Sequence, residues 1–330
     1  MSLDTGHRGH GEAERSDTSG GILGVADRIR SAVETVLEGK PEAVRIALTV
    51  LIAEGHLLIE DIPGVGKTIL AKALGRAVDC SVSRIQFTPD LLPGDITGVS
   101  VYDQARREFE FKPGPVFANI VVGDEINRAS PKTQSALLEC MEESQVSVDG
   151  WTRQLTRPFM VVATQNPVDM EGTYPLPEAQ RDRFMARIAV GYPDPQAELD
   201  MIDTHGAHSP LAELEPVATA AEVMAMSDTV RDIHVSPSVR RYTVDLISAT
   251  RTASALRLGA SPRATLHLIR AARAYAALEN RSYVLPDDIQ ALAVPVLAHR
   301  LIPSPEAQLE RRLPEQVVAD IAARIPVPSR

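Results

Sequence analysis

Residues 56–78 read HLLIEDIPGVGKTILAKALGRAV, and this stretch decides the fold. The apolar run Leu57–Ile59 stops at Glu60 and Asp61, a Pro-Gly-x-Gly turn follows, and apolar residues return after Lys67 with helical spacing. Strand, glycine-rich loop and helix in that order give Gly64–Thr68 its meaning as a phosphate cradle. Gly64 and Gly66 let the backbone turn its N–H groups toward phosphate oxygens. Pro63, Val65 and Ile69 are counted with them as the nucleotide-binding loop. Lys67 is placed to neutralise β and γ phosphates, and the Thr68 hydroxyl to ligate Mg²⁺. The full pattern asks for glycine at position 61, where this chain has Asp61; the carboxylate is expected to point away from the phosphates. Alone, the motif could also be a glycine-rich turn beside a surface lysine.

Two further apolar runs end in polar groups: IVVGDE at 120–125 and FMVVATQN at 159–166. Strands that end in chemistry are what an open, mostly parallel α/β sheet produces, with its site at the carboxyl ends. Asp124 is expected to hold Mg²⁺ and Glu125 to polarise the attacking water as general base. Neighbouring strand residues face opposite ways, so the chain must turn there for both acids to serve one site. Asn166 could position that water or sense the γ-phosphate; as an Asx cap before Pro167 it would do neither. Thr164 and Gln165 are weaker candidates for the same work. Together the motifs point to hydrolysis of a nucleotide.

Working outward, Glu108–Phe117 and Gln145–Leu155 read as excursions from the sheet, the second a hairpin around Asp149-Gly150. Trp151, the one tryptophan, reads as an aromatic packed on that hairpin, with contact to a partner as the alternative. After GYPDPQAE at 191–198 the pattern turns helical, over 218–230, 237–252, 262–279, 286–299 and 314–324. The resulting division is a disordered tail at 1–20, an α/β core at 21–191, a linker at 192–205, and an all-helical lid at 206–330 ending in a mobile tail.

The chain has 330 residues, a net charge of −10, 44% hydrophobic residues and two cysteines. That length allows two domains and a sizeable core. Two cysteines make no disulfide framework, and neither a signal peptide nor an apolar run of about 20 residues is present, so a cytoplasmic protein is expected. The acidity and the lack of a basic, aromatic-rich stripe argue against a nucleic-acid surface.

Four segments, LLIEDIPGVGKTILAKAL, VVGDEINRASPKTQSALLECMEE, ATQNPVDMEGTYPLPEAQRDRF and SPRATLHLIRAARAYAALENRSYVLPDDI, closely resemble the MoxR family of AAA+ ATPases. The resemblance runs from about residue 23 to 312. It implies Lys67 and Thr68 as the Walker A lysine and hydroxyl, Asp124 and Glu125 as the Walker B pair, and Asn166 as sensor 1. Arg183, in Asp-Arg-Phe, resembles the arginine finger that enters a neighbouring subunit's site; Arg181 makes that assignment locally ambiguous. Arg263 resembles sensor 2, which contacts the γ-phosphate from its own chain. From residue chemistry alone, Arg183 could equally pair with Asp182 or Glu178, and Arg263 could be an ordinary helix-face residue.

The resemblance further implies a helix 2 insert around 106–116 and a pre-sensor 1 hairpin at 145–155. It implies a homo-oligomeric, hexameric ring with a lid swinging over Mg²⁺ and ATP, chaperone-like work on a client protein, and a partner with a von Willebrand factor A domain. Asn127 and Arg128 would couple nucleotide state to the adjacent subunit, or else form an N-cap region with an exposed arginine; Lys132, Thr133 and Gln134 have no distinct assignment. A nucleotide-gated binding switch with slow hydrolysis and a nucleic-acid-associated AAA+ motor are the competing readings.

Overall fold

A computed structural model describes residues 13–167, 173–193, 195–196, 199 and 209–328. Two helices, α1 (Ala13–Glu34) and α2 (Pro41–Ile52), lead into β1 (Leu57–Glu60) and α3 (Lys67–Ala77). There follow β2 (Val82–Gln86), α4 (Pro93–Thr97), β3 (Gly98–Asp103), β4 (Glu108–Pro113) and β5 (Ile120–Asp124). The core continues through α5 (Pro131–Glu143), β6 (Gln145–Val148), β7 (Trp151–Gln154), β8 (Met160–Gln165), α6 (Glu178–Arg181) and β9 (Ala186–Ile188).

Five strands make one parallel sheet in the order β2-β5-β8-β1-β9. Its central strands are short runs of branched residues buried on both faces, as parallel strands under helices must be. Their two-residue period sorts them cleanly. Leu57, Ile59, Ile120, Val122, Met160 and Val162 pack toward α1–α3, whereas Leu58, Val121, Val161 and Ala163 pack toward α5.

The two excursions form separate antiparallel pairs, β3 with β4 and β6 with β7. The second turns at Asp149 and Gly150, both at positive φ (53° and 79°), the backbone an Asp-Gly hairpin turn requires. Trp151 is 71% exposed on this hairpin, so it is not the packed aromatic expected. Four-residue strands form too small a platform to cover an indole.

Beyond the sheet run helices Ala220–Arg231, Pro237–Thr252, Pro262–Leu278, Pro286–Leu297 and Pro314–Arg324, close to the expected spans. Thr219 and Glu222 form a capping box, and Ser236 and Ser261 cap the next two helix starts with Pro just inside. The buried residues of these helices join those of α1–α3 in a single cluster.

α1 begins at Ala13, inside the stretch expected to be tail. Ala13, Glu14 and Arg15 favour helix, and extending a formed helix adds one hydrogen bond per residue. Residues 1–12, 168–172, 194, 197–198 and 200–205 of the expected linker, 206–208 at the start of the expected lid and 329–330 at its end lie outside the described residues. Among the described residues no helix is long and apolar enough to cross a membrane. Both cysteines are free thiols; burial pushes Cys80 up to about 11 and Cys140 up to about 12.

Candidate nucleotide site and the arginine edge

Gly64 and Gly66 sit at φ 85° and 91°, which only glycine adopts readily, and Gly66 caps α3 so that Lys67 opens it. Lys67 Nζ donates to the carbonyls of Asp61 (2.5 Å) and Gln165 (3.4 Å), which holds the ammonium over the ends of β1 and β8. The Asp61 carboxylate is turned into the backbone: it accepts from Ile62 N at 2.8 Å and Gly191 N at 2.6 Å. The acid at the expected glycine position therefore ties the loop to the segment after β9 and spares the phosphates its charge. A cavity of ≈ 110 Å³ adjoins the loop, lined by Val36, Leu37, Val65, Ile69, Pro193 and Pro210 among others. An apolar slot beside a phosphate loop suits a nucleobase.

At the end of β5, Asp124 is 5% exposed and satisfied from three sides. It accepts from Thr68 Oγ1 (3.1 and 3.2 Å), Thr164 Oγ1 (3.2 Å) and Arg84 Nε (2.6 Å). The next residue, Glu125, adopts φ 57°, and its N–H donates to Thr164 Oγ1 at 3.0 Å. This left-handed residue is the turn that brings both acids to one edge. Glu125 Oε2 receives Arg128 Nη1 at 2.9 Å and Gln86 Nε2 at 3.4 Å. Asn166 follows β8 and is buried. Lys67, Thr68, Asp124, Glu125 and Asn166 thus gather at the carboxyl ends of β1, β5 and β8.

One hydroxyl and one carboxylate in contact suit Mg²⁺, which keeps several waters and takes one or two protein ligands beside phosphate oxygens. Among the described residues no group of three or more His, Cys, Asp and Glu is placed to hold a metal ion by itself.

Arg183 lies elsewhere. All five strands run the same way, and Arg183 precedes β9 while Met185 N bonds to His56 O ahead of β1 at 2.8 Å. It therefore occupies the amino edge, about 13 Å from the phosphate loop along a four-residue strand. Its Nη2 is 3.0 Å from Glu142 Oε2, and Nη1 reaches Leu138 O. The partner is neither Asp182 nor Glu178 but a carboxylate in the last turn of α5. Arg263 joins the same carboxylate through Glu142 Oε1 and lies 3.8 Å from Asp182 Oδ2. The resemblance implied a contact with this chain's own γ-phosphate; in the structure the guanidinium stands on Glu142 instead. α5 leaves the carboxyl edge and is about 20 Å long, so Glu142 and both arginines sit at the far edge.

Behind this pair the junction with the lid is buried. Asp182 accepts from Ser261 Oγ at 2.9 Å and pairs with Arg300 Nε at 3.3 Å, while Arg300 also contacts His267 Nδ1 at 2.6 Å. Burial, reinforced by Arg300 and Arg270, lowers His267 to about 2; burial also lowers His56 to about 4 and His299 well below the usual range. Arg300 is itself lowered to about 10 by burial.

Several contributors carried no motif. Gln134 is fully buried and donates to Ile126 O (3.0 Å) and Tyr174 O (3.1 Å), pinning the chain after β5 to the segment before Arg183. Arg84 and Gln86 face the two acids from β2, and the alternation Arg-x-Gln beside an apolar strand was the available signal. Glu142 had no signal, because its partners are distant in sequence.

Residues 56–186 match the domain family described as the ATPase family associated with various cellular activities (AAA), and residues 248–321 match the AAA lid domain. Over 296 residues the chain is 48% identical to an uncharacterised Bacillus subtilis protein, YeaC, covering 90% of this chain and 92% of that one. It is 40% identical to the chaperone MoxR1 of Mycobacterium tuberculosis (94% and 85% covered) and 34% identical to the protein MoxR of Paracoccus denitrificans (91% and 95%). A crystal structure of a candidate ATPase from Cytophaga hutchinsonii superposes with a TM-score of 0.91 at 37% identity, covering 97% of this chain and all of that one.

Proposed function

The chain belongs to the MoxR family of AAA+ ATPases, and from that premise we propose that it works as a homo-oligomeric, hexameric ring whose ATP sites are completed between subunits. The phosphate loop, Lys67, Thr68, Asp124, Glu125 and Asn166 bind and orient MgATP. Thr68 and Asp124 would hold Mg²⁺, which when bound offsets charge on the β and γ phosphates. Glu125 takes the proton of the attacking water, and Asn166 positions that water. Arg183 and Arg263 reach the γ-phosphate of the adjacent subunit, where a guanidinium offsets the charge spreading over the transferred group.

The observation that supports this reading is the separation of the two groups. Both arginines stand at the sheet edge opposite their own phosphate loop, so a second subunit is needed to bring arginine and nucleotide together. Hydrolysis in the ring would then remodel a client protein in the cytoplasm, with a von Willebrand factor A domain protein as partner. The chaperone naming of one relative supports the client step.

The test is ATP hydrolysis per chain against protein concentration, for wild type and Arg183→Ala, with mass by light scattering. Specific activity rises as oligomers form, and the variant binds ATP yet turns over at least about 100-fold more slowly. Activity per chain that is constant down to monomer and indifferent to Arg183 would overturn the reading.

A further inference from the structure

Glu142 occupies an unfavourable place. α5 ends Glu139-Cys-Met-Glu-Glu with no basic residue in its last turn, so its acids face the negative end of the helix dipole. The compensation comes from distant chain: Arg183 from the stretch before β9 and Arg263 from the start of helix Pro262–Leu278. Each takes one oxygen of the same carboxylate, Arg183 on Oε2 and Arg263 on Oε1. Two guanidinium groups brought together without an anion repel, and a carboxylate between them removes that repulsion. The three side chains remain 28%, 36% and 36% exposed, so the cluster is reachable from outside. Asp182 fixes the helix start beneath Arg263 through Ser261, but neither Asp182 nor Ser261 touches the guanidinium of Arg183 in the way Glu142 does.

We propose that Glu142 is a positioning residue for ATP hydrolysis: by bridging Arg183 and Arg263 it sets them side by side as one two-armed cation presented to the neighbouring subunit's γ-phosphate. The inference rests on the reading that both arginines act between subunits. Without Glu142 the arms separate, and a displacement of about 1 Å in a charge-stabilising group is enough to slow a reaction severely. Glu142 touches no substrate, so binding of ATP to the subunit's own loop is unaffected.

Steady-state hydrolysis is measured against ATP and against protein concentration for wild type, Glu142→Gln, Glu142→Asp, Glu143→Gln and Arg183→Ala. Mass and thermal midpoint are recorded for each chain. Glu142→Gln lowers kcat about tenfold or more at concentrations where it is assembled. It leaves KM for ATP within about twofold of wild type and keeps wild-type mass and melting. Glu142→Asp, which restores the charge, recovers at least part of kcat. Glu143→Gln makes the same charge change one residue on and behaves as wild type. If Glu142→Gln matches wild type while Arg183→Ala is slow, the inference is overturned and the intersubunit reading stands. If Glu142→Gln instead fails to assemble or melts early, the carboxylate holds structure, not arginines, and the inference is again overturned. If Arg183→Ala itself matches wild type, the underlying reading fails and takes this one with it.

Discussion

The two edges of the central sheet solve opposite problems. At the carboxyl edge the acids are met by groups from adjacent strands, α3 and the turn after β5: Thr68, Thr164 and Arg84 on Asp124, and Arg128 and Gln86 on Glu125. At the amino edge three arginines, 183, 263 and 300, share two carboxylates, Glu142 and Asp182. Two buried histidines, His56 and His299, and the half-buried His267 beside them have their pKa values lowered by burial. One edge gathers acids beside a phosphate-type loop, and the other gathers arginines around two carboxylates. Under the proposed function, each subunit would contribute these two edges to two different sites.

The strongest way to break this contrast is to mix chains. Lys67→Ala and Arg183→Ala should each be nearly inactive alone, down about 100-fold or more. Mixed, they should regain hydrolysis, because an intact loop can meet an intact arginine on its neighbour. Recovery measured by phosphate release supports sites shared across two chains; none would mean the two residues act within one.

A smaller effect sharpens the account of the carboxyl edge. Thr164→Val removes the hydroxyl that holds Glu125 N and donates to Asp124. It should lower kcat about tenfold with KM nearly unchanged, since it disturbs Glu125 and Asp124 but leaves the phosphate loop intact. Wild-type kcat in Thr164→Val would show that β5 fixes Glu125 without help.

The smallest effect concerns stability of the amino edge. His56 accepts from Val161 N at Nδ1 (3.0 Å) while Nε2 lies 3.0 Å from Met141 O, an arrangement only the neutral ring satisfies. Its value of about 4 in the fold lies below the unfolded 6.5, so the unfolded chain takes up the proton first as pH falls. Stability present above pH 6.5 is lost progressively toward pH 4, by about 2 kcal/mol at pH 5 for this ring. Urea midpoints at pH 7.5, 6 and 5 should fall in order; a flat series would show that the buried ring is not what limits acid stability.

The carboxyl edge was largely readable because each of its residues lies next to a periodic apolar run that announces a strand end. Lys67, Asp124, Glu125 and Asn166 all follow such runs, and the lid helices announced themselves by Pro and Ser at their starts. The amino edge was hidden for the converse reason. Glu142, Asp182, Arg263 and Arg300 are brought together by tertiary packing, from segments with no shared pattern. That is why Arg183 was read against Asp182 or Glu178 when its carboxylate is Glu142, and why nothing in the sequence placed Arg263 on that same carboxylate. Trp151 was misplaced for a related reason: alternation finds a hairpin but not whether anything lies over it.

The apolar cluster that runs from Ala26, Ile29 and Val33 of α1 through Leu57 and Ile59 to Leu292, Val296 and Val318 has a thermodynamic meaning. The parts that sequence divides into core and lid share this cluster on one face of the sheet. Cutting the chain after β9 would leave apolar faces uncovered on both pieces. Melting should then be a single cooperative event, in which loss of the last helices also dissolves the ground under the phosphate loop.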